Sequence, residues 1–311
     1  MNNKFFNDEL TYNRSDFDFF INLYMNNKLP QTLLLTGEKG AGKLNFVYHL
    51  VNFILSQNEI DKYDTKLFKI NSNNKTSNLL LQNIHPNFCL INRKKNKKYI
   101  ENSQIKEMQT FLNLSSFNNK PKIIVINECE FLNMSSSNSL LKSLEEEYLN
   151  VFFILIRDDK KFLIKTIKSR CINFNFILNS KERIKRINEI LDNQYEILSN
   201  DFKDKYLTPY FFSELSNYCK KNNFDIGKIN LDILITNIFL DKNIKKDEFV
   251  YNNFYLLMQL FFHKRITSNI NNEKNFNLLK YFTKRLDDVF RFNLDLDAYI
   301  LEFKNLIYNE K

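Results

Sequence analysis

The chain has 311 residues, a net charge of +9, and 43% hydrophobic and 26% charged residues, which is long enough for two or three domains and ordinary for a globular protein. No apolar run approaches the ~18 residues that a bilayer-crossing helix needs, and acidic residues among the N-terminal aromatics are unlike a secretory signal or transit peptide, so a cytoplasmic location is expected. The four cysteines, Cys89, Cys129, Cys171 and Cys219, are scattered singly with no Cys-x-x-Cys pair, and are assigned neither a metal nor a disulfide.

The positive balance suits a phosphate-rich partner. The same excess of Lys, with Asn, Ile and Phe, also follows from A+T-rich codons, so charge supports a nucleic-acid reading without making one.

In chain order, the apolar run Leu33, Leu34, Leu35 predicts a buried strand over 32–36. It leads into Thr36-Gly-Glu-Lys-Gly-Ala-Gly-Lys43, which holds three of the chain's four glycines, Gly37, Gly40 and Gly42. Glycines at this spacing let successive backbone N–H groups converge on phosphate oxygens. The helix expected to start near Leu44 points its positive end at the same place, and Lys43 is set to reach the terminal phosphates. Position 44, where such loops carry the Ser or Thr hydroxyl that holds Mg²⁺, is Leu44.

An Asn-rich stretch over 71–78 reads as a loop, and 88–91 as a second strand. A helix over 103–114 precedes the strand 122–127, whose run Ile123, Ile124, Val125, Ile126 ends in Asn127-Glu128. A working site carries an Asp at the first of these positions, for Mg²⁺, and a Glu at the second, for the attacking water. Asn127 keeps the shape and loses the charge. With Leu44 and Asn127 both lacking, the metal has lost two of its expected protein donors, which indicates a retired hydrolytic site. A helix over 136–146, capped by Ser136 or Ser137 and striped by Leu140, Leu141 and Leu144, leads to strands over 151–156 and 172–176. Ser169-Arg170-Cys171 stands at the mouth of the last strand.

From about residue 179 the periodicity becomes helical. Ile184, Ile187 and Leu191 are spaced three and four apart, as are Phe211, Leu215 and Tyr218, and Leu231, Leu234 and Ile238. Val250, Phe254, Leu257 and Phe261 follow, then Leu279, Phe282, Leu286 and Val289, and last Leu296, Ile300, Phe303 and Ile307. A polar stretch over 267–274 reads as a loop. The tail divides into a smaller segment over 179–240 and a larger one over 241–311.

These residues carry a resemblance. Ser169-Arg-Cys171 resembles the motif of clamp-loader subunits of the AAA+ class, and Leu140-Leu-Lys-Ser-Leu-Glu-Glu146 is similar to the stretch that precedes it there. Ile84-His85-Pro86-Asn87 resembles the His-Pro-Asp segment of bacterial DNA polymerase III delta prime subunits. Asn138, Lys142 and residues 103–106 match as well, so that the likeness covers roughly 10–178. It implies an α/β fold, an AAA+ P-loop parallel-sheet domain over 1–178, a small helical lid over 179–240 and an all-α collar over 241–311.

The implied role is a non-catalytic member of a clamp-loader ring within the DNA polymerase III holoenzyme, without ATPase activity of its own. Arg170, beside Ser169, would be an arginine finger acting in trans on ATP held by the neighbouring subunit. Gly37, Gly40, Gly42 and Lys43 would be a degenerate loop, and Glu128 the remnant of the acidic motif. Implied partners are the motor and delta subunits, the sliding clamp through the complex, and primed DNA through its phosphates, with no membrane. No cofactor is required and no metal is expected; weak or vestigial ATP or ADP binding stays open.

Three departures stand out. Many delta prime subunits carry a four-Cys zinc module, whereas 56–84 here holds no Cys. Glu147 replaces the usual Pro, and Arg157-Asp158 stand where a small γ-phosphate sensor often lies. The alternative is an active ATPase of the same fold, a motor subunit or helicase loader, which would have to hold Mg²⁺ without Leu44 or Asn127.

Overall fold

Apolar runs with no polar alternation suit strands buried on both faces. The computed structural model, which describes residues 7–71, 73–94, 97–203, 207–240, 247–268, 272–292 and 294–308, realises them as β1 (Thr32–Gly37), β2 (Phe88–Ile91), β3 (Lys122–Ile126), β4 (Val151–Asp158) and β5 (Ile172–Asn175). All pair in parallel, in the order β2-β3-β4-β1-β5. Side chains alternate across each strand. Leu33, Leu35, Ile123, Val125, Ile154 and Ile156 face one core, with Phe17 and Phe20 of α1 (Arg14–Met25) and Phe46 and Leu50 of α2 (Lys43–Ser56). Leu34, Ile124, Ile126, Phe153 and Leu155 face the other, with Ile105 and Met108 of α4 (Asn102–Asn113) and Leu140 of α5 (Met134–Glu145). Each fully buried aliphatic side chain contributes roughly 1.5–3 kcal/mol.

The chain divides into two compact units, Met1–Glu182 and Arg183–Lys311. Helix α7 (Ser180–Ile190) begins three residues before the second unit, which also holds α8 (Pro209–Lys221), α9 (Leu231–Leu240), α10 (Glu248–Thr267), α11 (Asn272–Phe292) and α12 (Leu296–Tyr308). Thr208 Oγ1 caps α8 at Phe211 N, 3.2 Å, and Asp247 Oδ1 caps α10 at Phe249 N, 3.0 Å. One hydrophobic cluster runs from Ile187 to Phe303, so residues on both sides of position 240 share a core. Phe282 and Phe303 meet edge to face at 4.9 Å, and Tyr299 Oη donates to the Phe282 carbonyl at 2.9 Å. Most of the expected apolar stripes are buried here. Ile184 is exposed, and the side chain of Ile307 lies outside the described residues.

Some expected boundaries move for local reasons. Part of the Asn-rich loop is helix α3 (Lys75–Leu81), because Asn74 is buried and caps it, its Oδ1 accepting from Ser77 N at 2.7 Å and from Asn52 Nδ2 at 3.1 Å. Helix α5 begins earlier than expected and is capped by Asn133, whose Oδ1 accepts from Ser136 N at 2.8 Å; Ser136 instead donates back to the Asn133 carbonyl. Of the loop expected over 267–274, Thr267 belongs to α10 and 272–274 to α11, while 269–271 lie outside the described residues. Strand β4 extends through Arg157 and Asp158, which pair with Thr36 and Gly37. Among the described residues no helix is long and apolar enough to cross a membrane.

Candidate functional site

In a parallel sheet the loops after the strands gather at the C-terminal edge, where ligands of such folds bind. The glycine loop lies there, between β1 and α2. Gly40 and Gly42 take the left-handed conformation, φ 85° and 96°, and Gly42 is the N-cap of α2 without a side-chain cap. Gly37 serves packing instead: a Cβ there would sit 2.3 Å from the Phe176 carbonyl oxygen just past β5.

Lys43 is buried, and its Nζ donates to the carbonyls of Gly37, at 2.7 Å, and Glu38, at 2.8 Å. Burial lowers its pKa, opposed first by the Asp158 carboxylate and then by Glu130, Asp159 and Glu38. Asp158 ends β4 opposite Gly37, and the Asp159 N–H donates to the Gly37 carbonyl at 3.2 Å. Glu130 accepts from the Asp158 N–H at 3.4 Å, and burial raises its pKa. The loop lysine is therefore already bonded to the chain's own carbonyls, in the field of its carboxylates.

The acidic-motif positions follow β3. Asn127 Nδ2 donates to Asn92 Oδ1 at 3.0 Å. Glu128 adopts the left-handed conformation, φ 55°, and its carboxylate pairs with Lys39 of the glycine loop at 4.0 Å and with Arg93, just past β2, at 3.5 Å. The Arg93 guanidinium also lies 4.5 Å over the Phe131 ring. Leu44 packs against the core beneath the sheet. Of the residues expected to form the nucleotide site, Gly37, Gly40, Gly42, Lys43 and Glu128 thus come together.

The loop and the uncapped start of α2 offer an anion N–H groups. The donor set does not fit a divalent cation, which needs oxygen ligands in near-octahedral array: residue 44 has no oxygen, residue 127 has no charge, and Glu128 is paired with two cations. Among the described residues no cluster of three His, Cys, Asp or Glu could hold a metal, and the four cysteines are free.

Arg170 and Ser169 lie elsewhere. They follow the short helix α6 (Lys165–Lys168) and precede β5, whose Ile172 pairs with Leu33 at the start of β1. Leu33 is four residues from Gly37, about 13 Å at ~3.3 Å per residue, and Arg170 is two residues further back. The two candidate centres occupy opposite edges of the sheet. The Arg170 side chain is 36% exposed; its guanidinium donates to the Thr166 carbonyl at 3.0 Å and pairs with Glu145 at 2.5 Å. Ser169 Oγ donates to the same carbonyl at 3.0 Å.

The His-Pro-Asn segment is architectural. The Asn87 N–H donates to His85 Nδ1 at 3.1 Å, its Nδ2 to the Phe117 carbonyl at 2.8 Å, and its Oδ1 accepts from Phe117 N at 2.7 Å, while its carbonyl accepts from Ile123 N. Asn87 thus fastens the entry of β2 to the turn before β3. Burial, and next the Lys120 ammonium, pull the His85 pKa to about 4.

Sequence reasoning set Asp158 near a phosphate position but missed Lys39, Arg93 and Glu130 at the loop, and Glu145 at the arginine. Their signal was topological, since each but Lys39 and Glu145 follows or ends a strand on the loop's edge.

A five-stranded parallel sheet with a glycine loop between β1 and α2 defines an α/β P-loop fold, the fold class expected. A family described as DNA polymerase III, delta subunit, matches residues 12–179, more than half of the chain. The DNA polymerase III subunit delta prime of Pseudomonas aeruginosa is 30% identical over 98 residues, covering 32% of this chain and 30% of that protein. The delta prime subunit of Buchnera aphidicola subsp. Baizongia pistaciae is 26% identical over 247 residues, 76% of this chain and 69% of that one. A solved DNA polymerase III gamma subunit-related protein from Thermotoga maritima aligns with a TM-score of 0.45 at 16% identity, over 91% of this chain and 96% of that chain. The matched stretch spans less than a third of the length of the Pseudomonas relative. This chain belongs to the DNA polymerase III delta subunit family.

Proposed function

We propose that the chain is a delta prime subunit of a DNA polymerase III clamp loader that does not itself hydrolyse ATP. It scaffolds the loader ring and presents Arg170 to ATP held by the adjacent subunit during loading of the sliding clamp onto primed DNA. Residues 179–240 act as the lid and 241–311 as the collar through which the ring is joined. The partners are the motor and delta subunits, the clamp through the complex, and DNA through its phosphates, a sequence-independent contact that weakens steeply with salt.

The observation that carries this reading is the separation of two half-sites. The chain's own site has lost a hydroxyl at 44 and a carboxylate charge at 127 for a metal, and its loop lysine donates to the carbonyls of Gly37 and Glu38. Arg170 stands exposed at the opposite edge of the sheet, out of reach of that loop, so a phosphate it meets belongs to another chain. An arginine so used stabilises the charge developing on the transferred phosphoryl group and is worth ~10³ to 10⁵ in rate at the site it completes.

The test is Arg170→Ala in a ring reconstituted with its partner subunits. Ring assembly by size-exclusion chromatography should be intact, and DNA- and clamp-stimulated ATPase should fall severalfold. Normal ATPase and clamp loading by the variant ring would refute the finger role. Robust Mg²⁺-dependent hydrolysis by the purified chain alone would refute the non-catalytic role.

A further inference from the structure

We infer that Glu145 is a positioning residue for Arg170; this rests on the finger role just proposed. Glu145 is the last residue of α5, and α5 packs on α6, the helix that leads into Ser169-Arg170. The carboxylate Oε1 accepts from Arg170 Nη2 at 2.5 Å, while Nη1 donates to the Thr166 carbonyl at 3.0 Å.

Two of the guanidinium's five N–H groups are thereby fixed to two different helices. The planar fork is held at one side, and three N–H groups are left for a phosphate. A flexible arginine loses rotamer entropy when it docks; a carboxylate and a carbonyl that fix its plane beforehand remove that loss from the moment of docking. Misplacing a catalytic group by an ångström can cost ~10²-fold in rate. The Glu145 side chain is 52% exposed and that of Arg170 36%, so the pair adds little to folding in water. Its effect appears where a neighbouring subunit excludes solvent.

The experiment uses the reconstituted ring with Glu145→Ala, Glu145→Gln, Arg170→Ala and the double variant Glu145→Ala/Arg170→Ala. Thermal melting of each chain and ring assembly should match the unaltered protein. Glu145→Ala should lower the stimulated kcat by about threefold or more while leaving KM for ATP within about twofold. Glu145→Gln, which keeps an acceptor oxygen, should recover most of the loss. On the Arg170→Ala background the Glu145 substitution should cost nothing more.

A Glu145→Ala ring as active as, or more active than, the unaltered ring would overturn the inference, provided Arg170→Ala is impaired. So would equal losses on both backgrounds, which is the signature of a role independent of Arg170. A fully active Arg170→Ala ring would instead bring down the finger role and this inference with it.

Discussion

Acidification should expose His49 as a pH-sensitive member of the sheet-unit core. The imidazole is fully buried, with Nε2 2.9 Å from the Asn7 carbonyl and Nδ1 2.9 Å from Tyr63 Oη. A carbonyl can only accept, so Nε2 carries the hydrogen and Nδ1 accepts from the phenol. Burial raises the pKa of that phenol and keeps it a donor. Protonating Nδ1 forces the Tyr63 hydroxyl to turn from donor to acceptor and places a cation in the core, and burial accordingly lowers the His49 pKa from 6.5 to about 4. The folded value lies below the unfolded one, so the stabilisation is whole above pH 6.5 and is lost as pH falls from there toward 4.

At ~1.36 kcal/mol per pH unit the full window is worth about 3 kcal/mol, of which about 2 kcal/mol falls between pH 7 and 5. For a unit of this size that corresponds to about 5 °C in melting temperature. Urea or thermal unfolding of the parent chain and of His49→Gln at pH 7, 6 and 5 isolates the effect, because the carboxylates and His85 are common to both. Glutamine can still donate to Asn7 and accept from Tyr63 but does not titrate. The parent should lose about 2 kcal/mol relative to the variant between pH 7 and 5; parallel pH dependences would refute the reasoning.

Gly37→Ala should destabilise by roughly 1–3 kcal/mol in denaturant titration, since the new methyl meets a backbone carbonyl that cannot move without disturbing the pairing of β1 with β5. An unchanged midpoint would contradict the close approach. Asn87→Ala removes two part-buried hydrogen bonds to the backbone of residue 117 and should cost about 1–2 kcal/mol, with amide exchange accelerated first in β2 and at the start of β3. Nucleotide bound by the isolated chain should show the same affinity in Mg²⁺ and in EDTA by calorimetry, because residue 44 offers no oxygen and residue 127 no charge to a metal; a tenfold gain with Mg²⁺ would refute that account.

What the sequence showed and what it hid follow from how each feature is encoded. The strands were legible because both faces are buried, so β1, β3 and β4 read as unbroken apolar runs. The glycine loop was legible because left-handed backbone at 40 and 42 demands that residue type. Helix α3 was hidden because its signal is one buried asparagine among many exposed ones, and only its partners at 52, 61 and 77 single out Asn74. Glu145 was hidden for a similar reason: it is one of three successive glutamates, and only the packing of α5 on α6 brings this one to Arg170. Lys122 opens a strand that otherwise reads as apolar, yet it is buried because its ammonium donates to the carbonyls of Phe111, Leu112 and Leu114 at the end of α4. No periodicity announces such a cap.

The two units keep separate aromatic interiors, one around Phe17, Phe20 and Phe46 and one around Phe262, Phe282 and Phe303, and the chain contains no tryptophan. An indole introduced at Phe46 or at Phe282 would therefore be the sole such fluorophore in the polypeptide. Red-edge emission from either reporter would follow the wetting of one interior without interference from the other, so the melting order of the two halves is optically accessible within a single chain.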